Sequence, residues 1–224
     1  MNSLLATLLS GSGNNFDYTY SIAAEVGMIE QSDYDWNLAS NWQSSTGGLR
    51  LGYQVNDNVD MLASIHWGTQ GNDTYDYYYD YEYDEAYSSG MSGYEIQVSE
   101  TQVHVGPKFS WNLKPWFAPY ATAQALMVHN RLQMSDNGLF DEDANTLIDA
   151  SGVGFGATAA VGMELRLRPI AKKSQLFFYG EAGTTGTTAV NFAMEGAGTG
   201  DTDINIGDLD YGGGYFRLGA GTKF

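Results

Sequence analysis

The sequence predicts an all-β protein: an eight-stranded antiparallel up-and-down transmembrane β-barrel with four long outer loops and three short periplasmic turns. Three observations predict it. Apolar and polar residues alternate with a period of two in eight segments. The connections between those segments alternate between short and long. Aromatic residues gather near the segment ends, at Tyr53, Trp67, Trp111, Trp116 and Phe224, as they do at a membrane interface.

The alternation is clearest in "GVGFGATAAVGMELRLRP", residues 152–169. Val153, Phe155, Ala157, Ala159, Val161, Met163, Leu165 and Leu167 share one face. Gly154, Gly156, Thr158, Ala160, Gly162, Glu164, Arg166 and Arg168 share the other. A helix would scatter these residues; a strand separates them. The other segments lie at about 18–29, 48–55, 59–69, 97–111, 116–131, 176–187 and 212–224. In 116–131 small residues blur the phase. The short turns are "NDN" (56–58), "NLKP" (112–115) and "PIAKKSQ" (169–175), and the long connections run at about 30–47, 70–96, 132–151 and 188–211.

Totals fit this plan. The 224 residues contain 28 Gly, 4 Pro and 14% aromatics, a mix suited to strands and turns. They are enough for a single domain, read as residues 16–224, after an N-terminal segment 1–15. That segment includes "MNSLLATLL", which lacks a positive n-region and an Ala-x-Ala site, and is read as a residual signal or a periplasmic extension. There is no Cys, hence no disulfide framework or thiolate metal site. The net charge of −17 argues against nucleic acid as a partner. Acids concentrate in the long connections, whereas Lys114, Lys172 and Lys173 stand in the short turns.

Alternation alone does not say which face is outside. A soluble barrel puts its apolar set inside, and a membrane barrel inverts that. Here the apolar phases are long and almost free of charge. The other phase is rich in Gly, Thr and Gln, poorly suited to a soluble surface. The ending "YFRLGAGTKF" adds a resemblance. It is similar to the C-terminal signature of outer-membrane barrels, with Phe216, Leu218, Ala220 and Phe224 matching and Thr222 smaller than the usual residue. The layout over residues 16–224 resembles the small barrels that include the OmpA membrane domain, OmpX and OmpW. The resemblance implies an outer-membrane location in a Gram-negative-type envelope, with extracellular loops and both termini periplasmic. It also implies recognition of Phe216, Leu218 and Phe224 by the barrel assembly machinery, and contact with outer-membrane lipid and lipopolysaccharide. The expected state is a monomer.

With that inversion the charged phase faces the lumen, because a charge on the lipid face costs about 2–4 kcal/mol at mid-depth. Glu25, Arg50, His66, His104, Gln124, Glu164, Glu181 and Arg217 are expected at similar heights, pairing across a narrow interior. An enzyme of the lipid A hydrolase type would need a His-x-Ser pair. His66, His104 and His129 are followed by Trp67–Gly68, Val105–Gly106 and Asn130–Arg131, so no catalytic residue is assigned. No cofactor is expected, with Ca²⁺ the one candidate. Asp141, Asp143, Asn145 and Asp149 are spaced like the start of an EF-hand loop, although Thr146 stands where Gly is expected and Gly152 where the bidentate Glu is. Asp201, Asp203 and Asn205 form a second D-x-D-x-N run.

A surface contact is expected at "YDYYYDYEYDE", residues 75–85, where Tyr75, Tyr77, Tyr79, Tyr81 and Tyr83 alternate with acids. The two-residue period suggests a hairpin continuing above the membrane. The functional expectation is a structural or surface-interaction role, adhesive or receptor-like, through these loops. The alternative is a narrow channel for small polar solutes or ions.

Overall fold

The computed structural model describes residues 18–31, 42–76, 92–138, 145–167, 169, 174–188, 190–194, 205–209 and 212–224. Ten strands are present among them: β1 (Tyr20–Gln31), β2 (Trp42–Asn56), β3 (Val59–Asp76), β4 (Ser92–Ser110), β5 (Phe117–Gly138), β6 (Asn145–Arg166), β7 (Gln175–Thr187), β8 (Val190–Met194), β9 (Asn205–Leu209) and β10 (Gly213–Lys223).

Each of β1–β7 pairs antiparallel with its sequence neighbour. β7 pairs next with β10, and β10 with β1. Eight strands thus close into a barrel with no free edge, which removes the unpaired backbone groups that a bilayer cannot solvate. β8 and β9 are a short hairpin inside the last long connection, where β8 pairs with the outer part of β6.

The strands overrun the boundaries expected from the sequence. β3 and β4 stay paired to Asp76↔Ser92, and β5 and β6 to Asp136↔Asn145. The connections expected at 70–96 and 132–151 are therefore ladder at both ends, over 70–76 and 92–96 and over 132–138 and 145–151, and β2 likewise reaches back to Trp42. The reason is local: once two strands are in register, each added pair closes backbone hydrogen bonds at no further loop-closure cost. Polar side chains make the extension of β5 and β6 look like a loop, whereas that of β3 and β4 is the continuing hairpin that the two-residue period from Tyr75 suggests, described as far as Asp76↔Ser92.

The outer face is apolar. Ile22, Val26, Leu51, Ile65, Val105, Phe155, Val161, Met163, Phe178, Phe216 and Leu218 are all exposed. The inner face holds Glu25, Arg50, Asp60, His66, His104, Lys108, Glu164, Glu181, Arg217 and Lys223, each at most 6% exposed. The ambiguous segment resolves in the same way, with Ala123, Ala125 and Met127 of β5 outward and Tyr120, Thr122 and Gln124 inward. At the short-turn end Tyr20 packs on Tyr53 and Phe224 at ring separations of 5.7 and 6.3 Å. This aromatic band sits where a bilayer meets water.

Candidate functional site

The barrel interior is a stack of two ion-paired layers. The upper layer takes Glu25 from β1, Arg50 from β2, Glu181 from β7 and Arg217 from β10. Arg50 is its hub. Its two terminal nitrogens donate to Glu181 Oε2 and Oε1 at 3.0 and 2.7 Å, and Nη2 lies 2.8 Å from Glu25 Oε2. Arg217 Nη1 stands 3.5 Å from Glu181 Oε1. A planar guanidinium meeting a carboxylate with two parallel bonds is the strong form of this pair.

Neighbouring side chains use up the remaining acceptors. Tyr179 Oη and His66 Nε2 hydrogen-bond to Glu25, and Tyr120 Oη donates to Glu181 at 3.1 Å. His104 Nε2 lies 3.2 Å from Arg217 Nη2 and 3.1 Å from Gln102 Oε1. The two imidazole rings meet edge-on at 4.9 Å. Arg50 and Arg217 also lie over the rings of Tyr179 and Tyr215, at 4.6 and 4.3 Å.

The lower layer lies nearer the short turns, around Glu164 of β6. Lys108 Nζ donates to Glu164 Oε2 and sits beside Asp60 Oδ2, both at 2.9 Å. Lys223 Nζ and Arg166 Nε each reach Glu164 Oε1 at 2.5 Å. Tyr18 Oη donates to Asp60 at 2.9 Å and accepts from Lys223 at 3.2 Å. Between the layers is a cavity of about 10 Å³ lined by Arg50, Lys108, Tyr120, Glu164 and Tyr179, room for about one water.

Glycine makes this filling possible. A Cβ at Gly48 would stand 2.2 Å from the His66 ring, one at Gly219 2.3 Å from Tyr179, and one at Gly162 2.5 Å from Tyr120. The glycine-rich inward phase is therefore the small half of a small–large packing scheme.

Glu25, Arg50, His66, His104, Glu181 and Arg217 thus come together in one network. Glu164 lies apart from them, in the lower layer, because the β6 residue paired with Glu181 is Gly162 and Glu164 stands two residues nearer the short-turn end. Gln124 is buried at 3% exposure near this network, with no hydrogen-bond partner for its amide. The whole lower set of Asp60, Lys108 and Lys223 escaped sequence reasoning. Parity was the available signal, since each shares the inward phase of its strand with a residue that was recognised.

Other candidates fall elsewhere. Asp149 lies in β6 opposite Gln133, and its carboxylate takes two bonds from Arg131, from Nε at 2.9 Å and Nη2 at 2.5 Å. Those bonds hold the Asp149 carboxyl below the usual carboxylate range. Asn145 and Asn205 begin β6 and β9, while Asp141, Asp143, Asp201 and Asp203 lie outside the described residues. Tyr75 is in β3 opposite Gly93; Tyr77, Tyr79, Tyr81 and Tyr83 lie outside the described residues. Phe216, Leu218 and Phe224 face outward on β10 or just past it. His66 and His104 each turn one ring nitrogen to a partner and leave Nδ1 with none, so neither is set against a hydroxyl nucleophile.

No family model matches the chain, and no curated protein does. Among solved structures it is similar to the outer membrane protein OprG from Pseudomonas aeruginosa, with a TM-score of 0.51 and 11% identity over 94% of this chain and 98% of that one. The protein folds as a small eight-stranded outer-membrane β-barrel. Two further similar structures are Ail, the attachment invasion locus protein of Yersinia pestis (TM-score 0.48, 15% identity, 93% of this chain and 99% of that one), and Neisserial surface protein A (TM-score 0.39, 11% identity, 91% and 95%).

Proposed function

We propose that this protein resides in the outer membrane of a Gram-negative-type envelope, where its barrel is a sealed anchor and its acidic outer connections carry a structural or surface-interaction role. Both termini face the periplasm and the barrel acts as a monomer. The two-layer plug supports this reading. Eight strands enclose an interior only wide enough for side chains, and here Arg50 reaches Glu181 and Arg217 reaches His104 across it, while Lys108 and Lys223 converge on Glu164 from non-adjacent strands. A solute would have to break paired, desolvated charges twice in series. The tyrosines in the connection after β3 would supply amphipathic side chains suited to a contact. Its removal, by deleting residues 77–91, should leave a folded barrel that has lost its surface partner.

Planar-bilayer recording tests the sealed reading. The native chain should give no steady single-channel steps. Steady steps whose size changes in Arg217→Ala or Glu164→Ala would favour a narrow channel for small polar solutes instead.

A further inference from the structure

The lipid-facing surface has one feature that the plug and loops do not use. At the seam where β1 meets β10, the outer wall sinks into an apolar groove of about 430 Å³. Its floor is Ala24, Ala220 and Gly221. Its sides are Ile22 and Leu49 on one flank and Leu176 and Phe178 on the other. The groove exists because β10 carries small residues at 220 and 222, between Leu218 above and Phe224 below, where its outer face otherwise presents bulky groups. Thr222 is also the position at which the C-terminal signature departs from the usual pattern.

The groove's lower end is polar. Thr222 lines it, and Thr222 Oγ1 lies 3.0 Å from Ser174 Oγ, joining β10 to the residue before β7. In a pair of hydroxyls only one hydrogen is used between them, so the other is left to donate outward. This pair stands near the aromatic band of Tyr20, Tyr53 and Phe224, the level at which the ester carbonyls of a bilayer lie.

We infer that this groove is a binding site for one phospholipid of the leaflet at the short-turn end, its acyl chain lying over Ala24 and Ala220 and an ester carbonyl accepting from the Thr222–Ser174 hydroxyls. Three observations select a lipid chain over a second barrel. The surface is concave, it is continuous with the face already turned to lipid, and it ends in a hydrogen-bond donor at interfacial depth. The site rests on the membrane reading above.

Native mass spectrometry tests it, with the protein folded into vesicles of phosphatidylethanolamine and phosphatidylglycerol and then released in mild detergent. The native chain should retain one phospholipid. Ala24→Phe, which fills the groove, should lose it, while Val105→Phe on β4, in the opposite outer wall, should keep it. Thr222→Val keeps the shape and removes the donor, and should weaken retention about threefold to tenfold. Equal retention in the native chain and in both Ala24→Phe and Thr222→Val overturns the site, as does a native dimer that Ala24→Phe dissolves. Vesicle flotation separates the two levels of the argument: a failed site leaves flotation intact, and a failed membrane reading abolishes it.

Discussion

Replacing Glu181 by leucine should destabilise the barrel by about 3–5 kcal/mol, the cost of removing one member of a buried ion pair. Glu181 is 1% exposed and accepts two bonds from Arg50 and one from Tyr120, with Arg217 beside it. After the change Arg50 keeps Glu25, but Arg217 is left buried with His104 as its polar neighbour. The uncompensated charge, more than any lost attraction, sets the penalty. The double variant Glu181→Leu with Arg217→Leu should therefore recover part of the loss, since it removes both ends of one pair. Urea unfolding in phospholipid vesicles measures both. A loss under about 1 kcal/mol in the single variant, the range of exposed pairs, would mean that the interior is hydrated and the plug open.

The second large effect lies on the opposite face. Val161 is 67% exposed on β6, a few residues outward from the inward-facing Glu164. Val161→Arg should cost about 2–4 kcal/mol in a bilayer, because the guanidinium meets hydrocarbon near mid-depth. On a water-exposed surface the same substitution would stay within about 0.5 kcal/mol. The same unfolding assay applied to Val161→Arg separates the two cases by several fold. The pair of predictions is diagnostic: charge is needed where a soluble protein would hide oil, and forbidden where a soluble protein would show it.

Much of this was legible in the chain because a barrel wall is a regular two-sided object. Val153 to Leu165 and Glu164 to Arg166 reveal their faces by parity alone. The strand order followed from short and long connections, since antiparallel neighbours need nothing more. Three things stayed hidden. The strand ends at Asp149 opposite Gln133 are polar on both faces, so periodicity of hydrophobicity has nothing to report there, whereas the two-residue period from Tyr75 does suggest the β3–β4 continuation seen as far as Asp76↔Ser92. Height also stayed hidden. Whether Glu164 meets Arg217 or Lys223 depends on how far each strand is staggered against the next, and stagger is set by pairing register that no single strand encodes. Tyr120 and Tyr179 were missed because a tyrosine ring reads as apolar, whereas here each hydroxyl completes a carboxylate's shell.

The central claim is the inversion, with charge inside and lipid outside. The chain has no native cysteine, so single cysteines report one position each. Val161→Cys and Leu218→Cys, labelled with an environment-sensitive fluorophore in vesicles, should be quenched strongly by lipid-borne quenchers. Ser64→Cys and Thr122→Cys, which point into the lumen at 4% exposure, should resist labelling until the barrel is unfolded. Quenching of Val161 and Leu218 by an aqueous quencher alone, with ready labelling of Ser64 and Thr122 in the folded protein, would contradict it.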